Sequence, residues 1–185
     1  MNRRDFLKLG AASSAALTVT SLTATLSGCS DSLPANSKWL ILRESDRTLL
    51  TAIMPVMLKG HFPTTVNEQA DAIQQVLLII DGGLAKFGPH NIKQVQELFT
   101  LLNFGLSRGL TTGVWSKWEN ASEAEIEHFL QRWRDSSVSL FNLGYNGLNK
   151  LIAASWYGLP EAWLKTGYPG PLYPDVLITK NNSVN

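Results

Sequence analysis

The chain has 185 residues, 44% hydrophobic and 17% charged, which suits one globular domain with a tail. Its formal charge is +1; Arg3, Arg4 and Lys8 against Asp5 put +2 in the first 29 residues, so the remaining 156 carry −1 and offer no basic stripe to a nucleic-acid backbone. Cys29 is the single cysteine, which excludes a disulfide framework and leaves the rest of the chain without thiolate chemistry.

The first element is an address. Arg3-Arg4-Asp5-Phe6-Leu7-Lys8 resembles the twin-arginine export motif, with Asn2 where Ser or Thr is usual. Residues 9–27 carry no charge but are diluted by Ala, Ser and Thr, so the run is weaker than the roughly 20 strongly apolar residues of a membrane-spanning helix. A basic start followed by such a run reads as a signal peptide. Leu26-Ser27-Gly28-Cys29 resembles a bacterial lipobox, in which the cysteine thiol is lipidated and becomes the new N-terminus. A small-residue cleavage site containing a cysteine is the alternative, and both stay open. The organisation is a signal over residues 1–29, a polar tether over 30–44 and an all-α domain over 45–185, a compact bundle of about five helices.

Ser45 or Asp46 is expected to cap the first helix, with Leu49, Leu50, Ile53, Met54 and Met57 on one face and a kink or end near Pro55. His61-Phe62-Pro63 is a loop. Asn67 is expected to cap a longer helix carrying Ile73, Val76, Leu77, Ile80, Leu84 and Phe87 at helical spacing. Gly82-Gly83 weakens that helix, which predicts a close helix–helix crossing there. Gly88-Pro89 ends it. A third helix follows with Ile92, Val95, Phe99, Leu102 and Leu106, and "GLSRGLTTGVWSKWEN" then breaks the pattern without a clear period. Ser122-x-x-Glu125 is a capping box ahead of Ile126, Phe129, Leu130 and Trp133. A helix from about Ser137 to Tyr157 carries Val138, Phe141, Tyr145, Leu148 and Ile152, with Leu140, Leu143 and Leu151 on another side. That double-sided pattern predicts a central helix.

Chemistry-bearing motifs are sparse. His61, His90 and His128 are far apart in sequence, without zinc-ligand spacing. Glu125-x-x-His128 has di-iron spacing, but those sites need two such pairs and two further glutamates. No nucleophile elbow, phosphate loop or dinucleotide fingerprint occurs. The expectation is a chain without catalytic, cofactor-binding or metal-binding residues of its own.

The C-terminal end, "SWYGLPEAWLKTGYPGPLYP", is dense in aromatics: residues 156–174 hold Trp156, Trp163, three of the four tyrosines and four of the eight prolines. Rings separated by Gly and Pro predict an extended segment rather than a helix. The rings either close the core or anchor a partner, and both hold if Trp156 turns inward and Tyr168 or Tyr173 outward. The candidate partner-binding residues are Trp156, Tyr157, Trp163, Tyr168 and Tyr173.

This ending, with "LLTAIMP" and "EIEHFLQRWRDSS" earlier, resembles the gluconate 2-dehydrogenase subunit 3 family over residues 45–173. The resemblance implies a non-catalytic small subunit. Its partner would be a large subunit of the glucose-methanol-choline type that holds FAD, and a cytochrome c subunit with haem c often completes such complexes. It also implies export of the loaded partner through the twin-arginine translocase to the periplasm, with the membrane met only through a lipid anchor or the signal. A free-standing periplasmic lipoprotein or assembly chaperone is the competing expectation.

Overall fold

The computed structural model describes Leu33 and residues 37–170, so Arg3, Arg4, Phe6, Leu7, Lys8, Cys29 and Tyr173 lie outside the described residues. Among the described residues the fold is all-α, with seven α-helices, one 3-10 turn and no strand.

The first helix, α1 (Glu44–Met57), is capped two or three residues before the expected Ser45 or Asp46: Arg43 is the N-cap, with extended backbone. Asp46 sits two residues inside the helix start and reaches back to accept from the Arg43 backbone N–H at 3.1 Å and its guanidinium at 2.8 and 3.0 Å. Asp46 is fully buried and also accepts from Asn103 Nδ2 at 3.0 Å, tying the helix start to a distant segment. Pro55 lies inside the helix, which ends two residues later.

Leu49, Leu50, Ile53 and Met54 are fully buried, each worth about 1.5–3 kcal/mol of apolar transfer. They make α1 the hub, packed against α2 (Val66–Leu84), α3 (Pro89–Asn103), α5 (Glu123–Arg134), α6 (Ser139–Tyr157) and the 3-10 turn Trp118–Asn120. The central position expected of α6 belongs to α1. Leu140 and Leu143 of α6 are 66% and 69% exposed, so α6 buries one face, not two.

Helix α2 starts after Thr65, not at Asn67. Val76, Leu77, Ile80 and Leu84 face the core as spaced, while Phe87 falls beyond the helix end and is exposed. No close crossing occurs at Gly82-Gly83: nothing stands within 4 Å of where either Cβ would be. Instead the tight approach is at Gly144 of α6, where a Cβ would meet the buried Trp133 ring at 2.5 Å. The one side chain inside α2 that breaks its apolar stripe is Asp81, buried and accepting the backbone N–H groups of Leu40, Ile41 and Leu42 at 2.8, 2.9 and 2.8 Å. It fastens the segment before α1, whose Trp39 and Leu42 join the core.

Pro89 opens α3 at a position where its missing N–H costs nothing. Phe99 and Leu102 point inward, but Leu106 belongs to a separate helix, α4 (Gly105–Thr112), where no periodic element is expected. Helix α5 begins at Ser122 with the expected capping box, its hydroxyl 3.3 Å from the Glu125 N–H and Glu125 Oε2 2.8 Å from the Ser122 N–H. Within the C-terminal segment, Pro160–Thr166 is a short helix, α7, rather than extended chain; Pro160 opens it and Gly167, at φ +69°, closes it.

Candidate partner-binding surface

The C-terminal aromatics divide by burial. Trp156 is 2% exposed and packs edge-on against Phe62 at 5.0 Å between centroids, so it is core and out of a partner's reach. Its Nε1 is buried without a hydrogen-bond partner among the described residues. Tyr157, one residue on, points outward and meets the His61 ring at 6.1 Å. Trp163 of α7 is half-buried, donates from Nε1 to the Tyr157 carbonyl at 2.8 Å and takes Tyr168 edge-on at 5.5 Å. Gly170, at φ +93°, lies against the Trp163 ring, where a Cβ would come within 3.1 Å. Tyr157, Trp163 and Tyr168 therefore form one exposed cluster held by a hydrogen bond and ring contacts. Tyr173 lies outside the described residues.

A second aromatic feature has no counterpart in the sequence reading. Trp115 is 63% exposed, yet its ring lies across Gly109 so closely that a Cβ there would overlap it. Four devices fix the loop that carries it. Gly113 turns the chain at φ +84° after α4. Thr112 Oγ1 accepts from the Val114 N–H at 3.0 Å and donates to the Arg108 carbonyl at 2.7 Å. Buried Arg108 donates from Nε to the Val114 carbonyl and from Nη1 to the Asn103 carbonyl, both at 3.2 Å. Trp133 Nε1 donates to the Thr111 carbonyl at 2.9 Å, joining α4 to α5. Phe104, Leu106 and Leu110 of the same segment are exposed, and the only charged side chain between residues 103 and 116 is the buried Arg108. The result is a pre-organised aromatic platform, bordered by the Arg132 guanidinium that donates to the Thr111 carbonyl, of the kind that anchors interfaces.

Several ionisable groups tie elements of the fold together. Burial pulls the Arg108 guanidinium below its ordinary value, with Glu119 opposing. Exposed Lys59 is raised by its hydrogen bond to Glu123, at 2.8 Å, which ties the turn after α1 to α5. Glu125 is lowered by the Ser122 backbone N–H and hydroxyl, so the Glu-x-x-His spacing is occupied by a helix cap. His90 pairs with Gln94 at 3.0 Å, and no group of three His, Cys, Asp or Glu side chains among the described residues is placed to hold a metal ion. A cleft of about 930 Å³ beside α1 is lined by Thr48, Thr51, Gln69 and Gln74 together with the charged Glu44, Arg47, Lys59, Glu119 and Glu123. No helix among the described residues is long and apolar enough to cross a membrane.

Residues 1–20 match the family model described as the TAT (twin-arginine translocation) pathway signal sequence. The chain thus carries a signal for export to the periplasm and engages the twin-arginine translocase. No curated protein and no solved structure matches the chain.

Proposed function

We propose that this chain is the non-catalytic small subunit of a periplasmic flavin-dependent dehydrogenase. It binds an FAD-loaded large subunit of the glucose-methanol-choline type in the cytoplasm and escorts it through twin-arginine export. One observation carries the reading: an export signal suited to folded cargo precedes a body that exposes aromatic rings, Trp115 on one loop and Tyr157 and Tyr168 near the C-terminal end. The resemblance of residues 45–173 to gluconate 2-dehydrogenase subunit 3 names the partner. FAD is inserted in the cytoplasm, so a flavoprotein without its own signal needs a carrier that binds it folded. A cytochrome c subunit with haem c would take the electrons onward.

The test is co-expression of the full chain with an FAD-dependent oxidoreductase of the glucose-methanol-choline type from the same genome, followed by purification from the periplasm. A flavin-yellow complex of defined stoichiometry is expected. An exported chain that never co-purifies with the flavoprotein would sink the reading and favour the free-standing lipoprotein or assembly chaperone. Cys29, placed directly after the apolar run, favours a lipid anchor in either case, and the mass of the mature N-terminus decides it.

A further inference from the structure

Helix α4 turns its polar side inward and its apolar side to solvent. Arg108, Gly109 and Thr112 are buried, while Leu106 and Leu110, one turn apart on one face, are exposed. Phe104 before the helix and Trp115 after it are exposed too. Core packing accounts for none of these four side chains. The hydrogen bonds of Arg108, Thr112 and Trp133 nevertheless hold the segment in this orientation.

The face lies at the end of the body where α1 begins. Arg43 Nη2 donates to Thr100 Oγ1 at 3.2 Å. Asn103, the residue before Phe104, donates from Nδ2 to Ser45 Oγ at 3.2 Å and to Asp46 Oδ1 at 3.0 Å. The C-terminal aromatic cluster lies at the other end, where Tyr157 meets His61 in the loop after α1. The 14 residues of α1 set the two ends about 21 Å apart.

The sequence upstream of α1 leads to a membrane. The signal over residues 1–20 brings the chain to the membrane-embedded translocase. Nine residues join Cys29 to Trp39, at most about 35 Å of chain, and the Trp39 ring lies against Arg47 near the start of α1 at 4.8 Å. The charges beside the apolar face suit a lipid surface. Lys117, two residues beyond Trp115, and Arg132, which donates to the Thr111 carbonyl, are exposed and form no ion pair among the described residues. No Asp or Glu occurs between Glu97 and Glu119. Trp, Phe and Leu bordered by cations form the side-chain set of an interfacial helix: the apolar face enters the boundary of headgroups and acyl chains, and Lys and Arg reach the phosphates. A second copy seated here would bring the same cations and no carboxylate from this segment.

We infer that the α4–Trp115 face rests on the membrane to which the signal brings the chain, with Phe104, Leu106, Leu110 and Trp115 among the lipid headgroups and Lys117 and Arg132 at the phosphates. This goes beyond the escort reading and does not depend on it, since the C-terminal cluster at the other end of α1 faces away from such a contact.

Two measurements on the full-length chain test it. In the first, Cys29→Ser removes the one native cysteine and any lipid on it, and Leu110→Cys or Val66→Cys then carries a nitrobenzoxadiazole dye. Both sites are exposed, so the wild-type melting temperature is expected, and Val66 opens α2 beyond the far end of α1. On vesicles of phosphatidylethanolamine and phosphatidylglycerol, emission from the dye at 110 is expected to shift to the blue and to be quenched by lipid spin-labelled near the headgroup. The dye at 66 is expected to do neither. An unshifted dye at 110 overturns the inference, and so does an equal shift at both sites, which the signal alone would explain. In the second, benzoylphenylalanine replaces Leu110 in the otherwise unchanged chain in cells, and a phospholipid adduct is expected by mass spectrometry. An adduct with another protein or with a second copy of this chain, or no adduct at all, overturns the membrane contact.

Discussion

Asp81 shows how one side chain organises a stretch that has no secondary structure. Its carboxylate is 3% exposed and takes three successive backbone N–H groups, from Leu40, Ile41 and Leu42. A carboxylate offers only acceptors, so all three donors are served by one group. Asparagine would present one acceptor oxygen and an NH₂ facing donors. Hydrogen bonds to a charged group are worth about 1.5–3 kcal/mol, and a buried orphaned donor costs further. Asp81→Asn is therefore expected to lower unfolding free energy by about 2–3 kcal/mol, read from denaturant midpoints at constant slope. A loss under 0.5 kcal/mol would show that water replaces the carboxylate. Nothing in the sequence marks Asp81 for this role, because its three donors lie about 40 residues earlier.

At the scale of elements, legibility followed the cause of each helix. Helix α5 was legible because its start is local: Ser122 and Glu125 satisfy each other within four residues. Its pH behaviour follows. Glu125 is lowered by the Ser122 backbone N–H and hydroxyl, so its contribution is present above the ordinary glutamate range and is lost as pH falls through the lowered value. Ser122→Ala is expected to cost about 1 kcal/mol near neutrality and distinctly less at a pH below the lowered Glu125 value, where the carboxylate no longer accepts. Denaturant midpoints of both proteins at the two pH values measure this, and an equal loss at both would show that the hydroxyl alone makes the cap. The caps of α1 and α2 lie two to three residues before the expected positions. In α1, Asp46 works backwards from inside the helix, and Arg43, outside the usual capping set, stands at the cap. Helices α4 and α7 were missed for opposite reasons. In α4, Leu106 and Leu110 face outward, so the usual inward stripe is absent. Its readable signal was glycine: Gly105, Gly109 and Gly113 recur every four residues, and Gly109 makes room for Trp115. In α7, Pro160 read as a breaker is a helix opener. Of the candidate surface, the outward turn of Tyr168 was legible and the Trp115 platform was not, since its loop is fixed by Arg108 and by contacts from α5.

The whole molecule joins a signal that exports folded protein to a domain that must fold before it is carried. That coupling makes address and core separable by experiment. Changing Arg3 and Arg4 to Lys keeps the charge and leaves residues 37–170 untouched, so folding is unaffected while the motif over residues 1–20 loses its defining pair. Trp156→Ala does the reverse. It keeps the signal but empties a site that is 2% exposed, costing about 3–5 kcal/mol of a domain stability that is typically about 5–15 kcal/mol. The double lysine variant is expected to accumulate in the cytoplasm with the wild-type melting temperature. Trp156→Ala is expected to reach the periplasm in reduced amount, in proportion to its unfolded fraction, and to recover on growth at lower temperature. Tyr168→Ala, which removes an exposed ring, should export like wild type. Fractionation with a melting curve on each variant reads all three. Periplasmic accumulation of the double lysine variant would mean that another route carries the chain. Undiminished export of Trp156→Ala would mean that transport tolerates a loosened core, and the folded state would then not be what the passage selects.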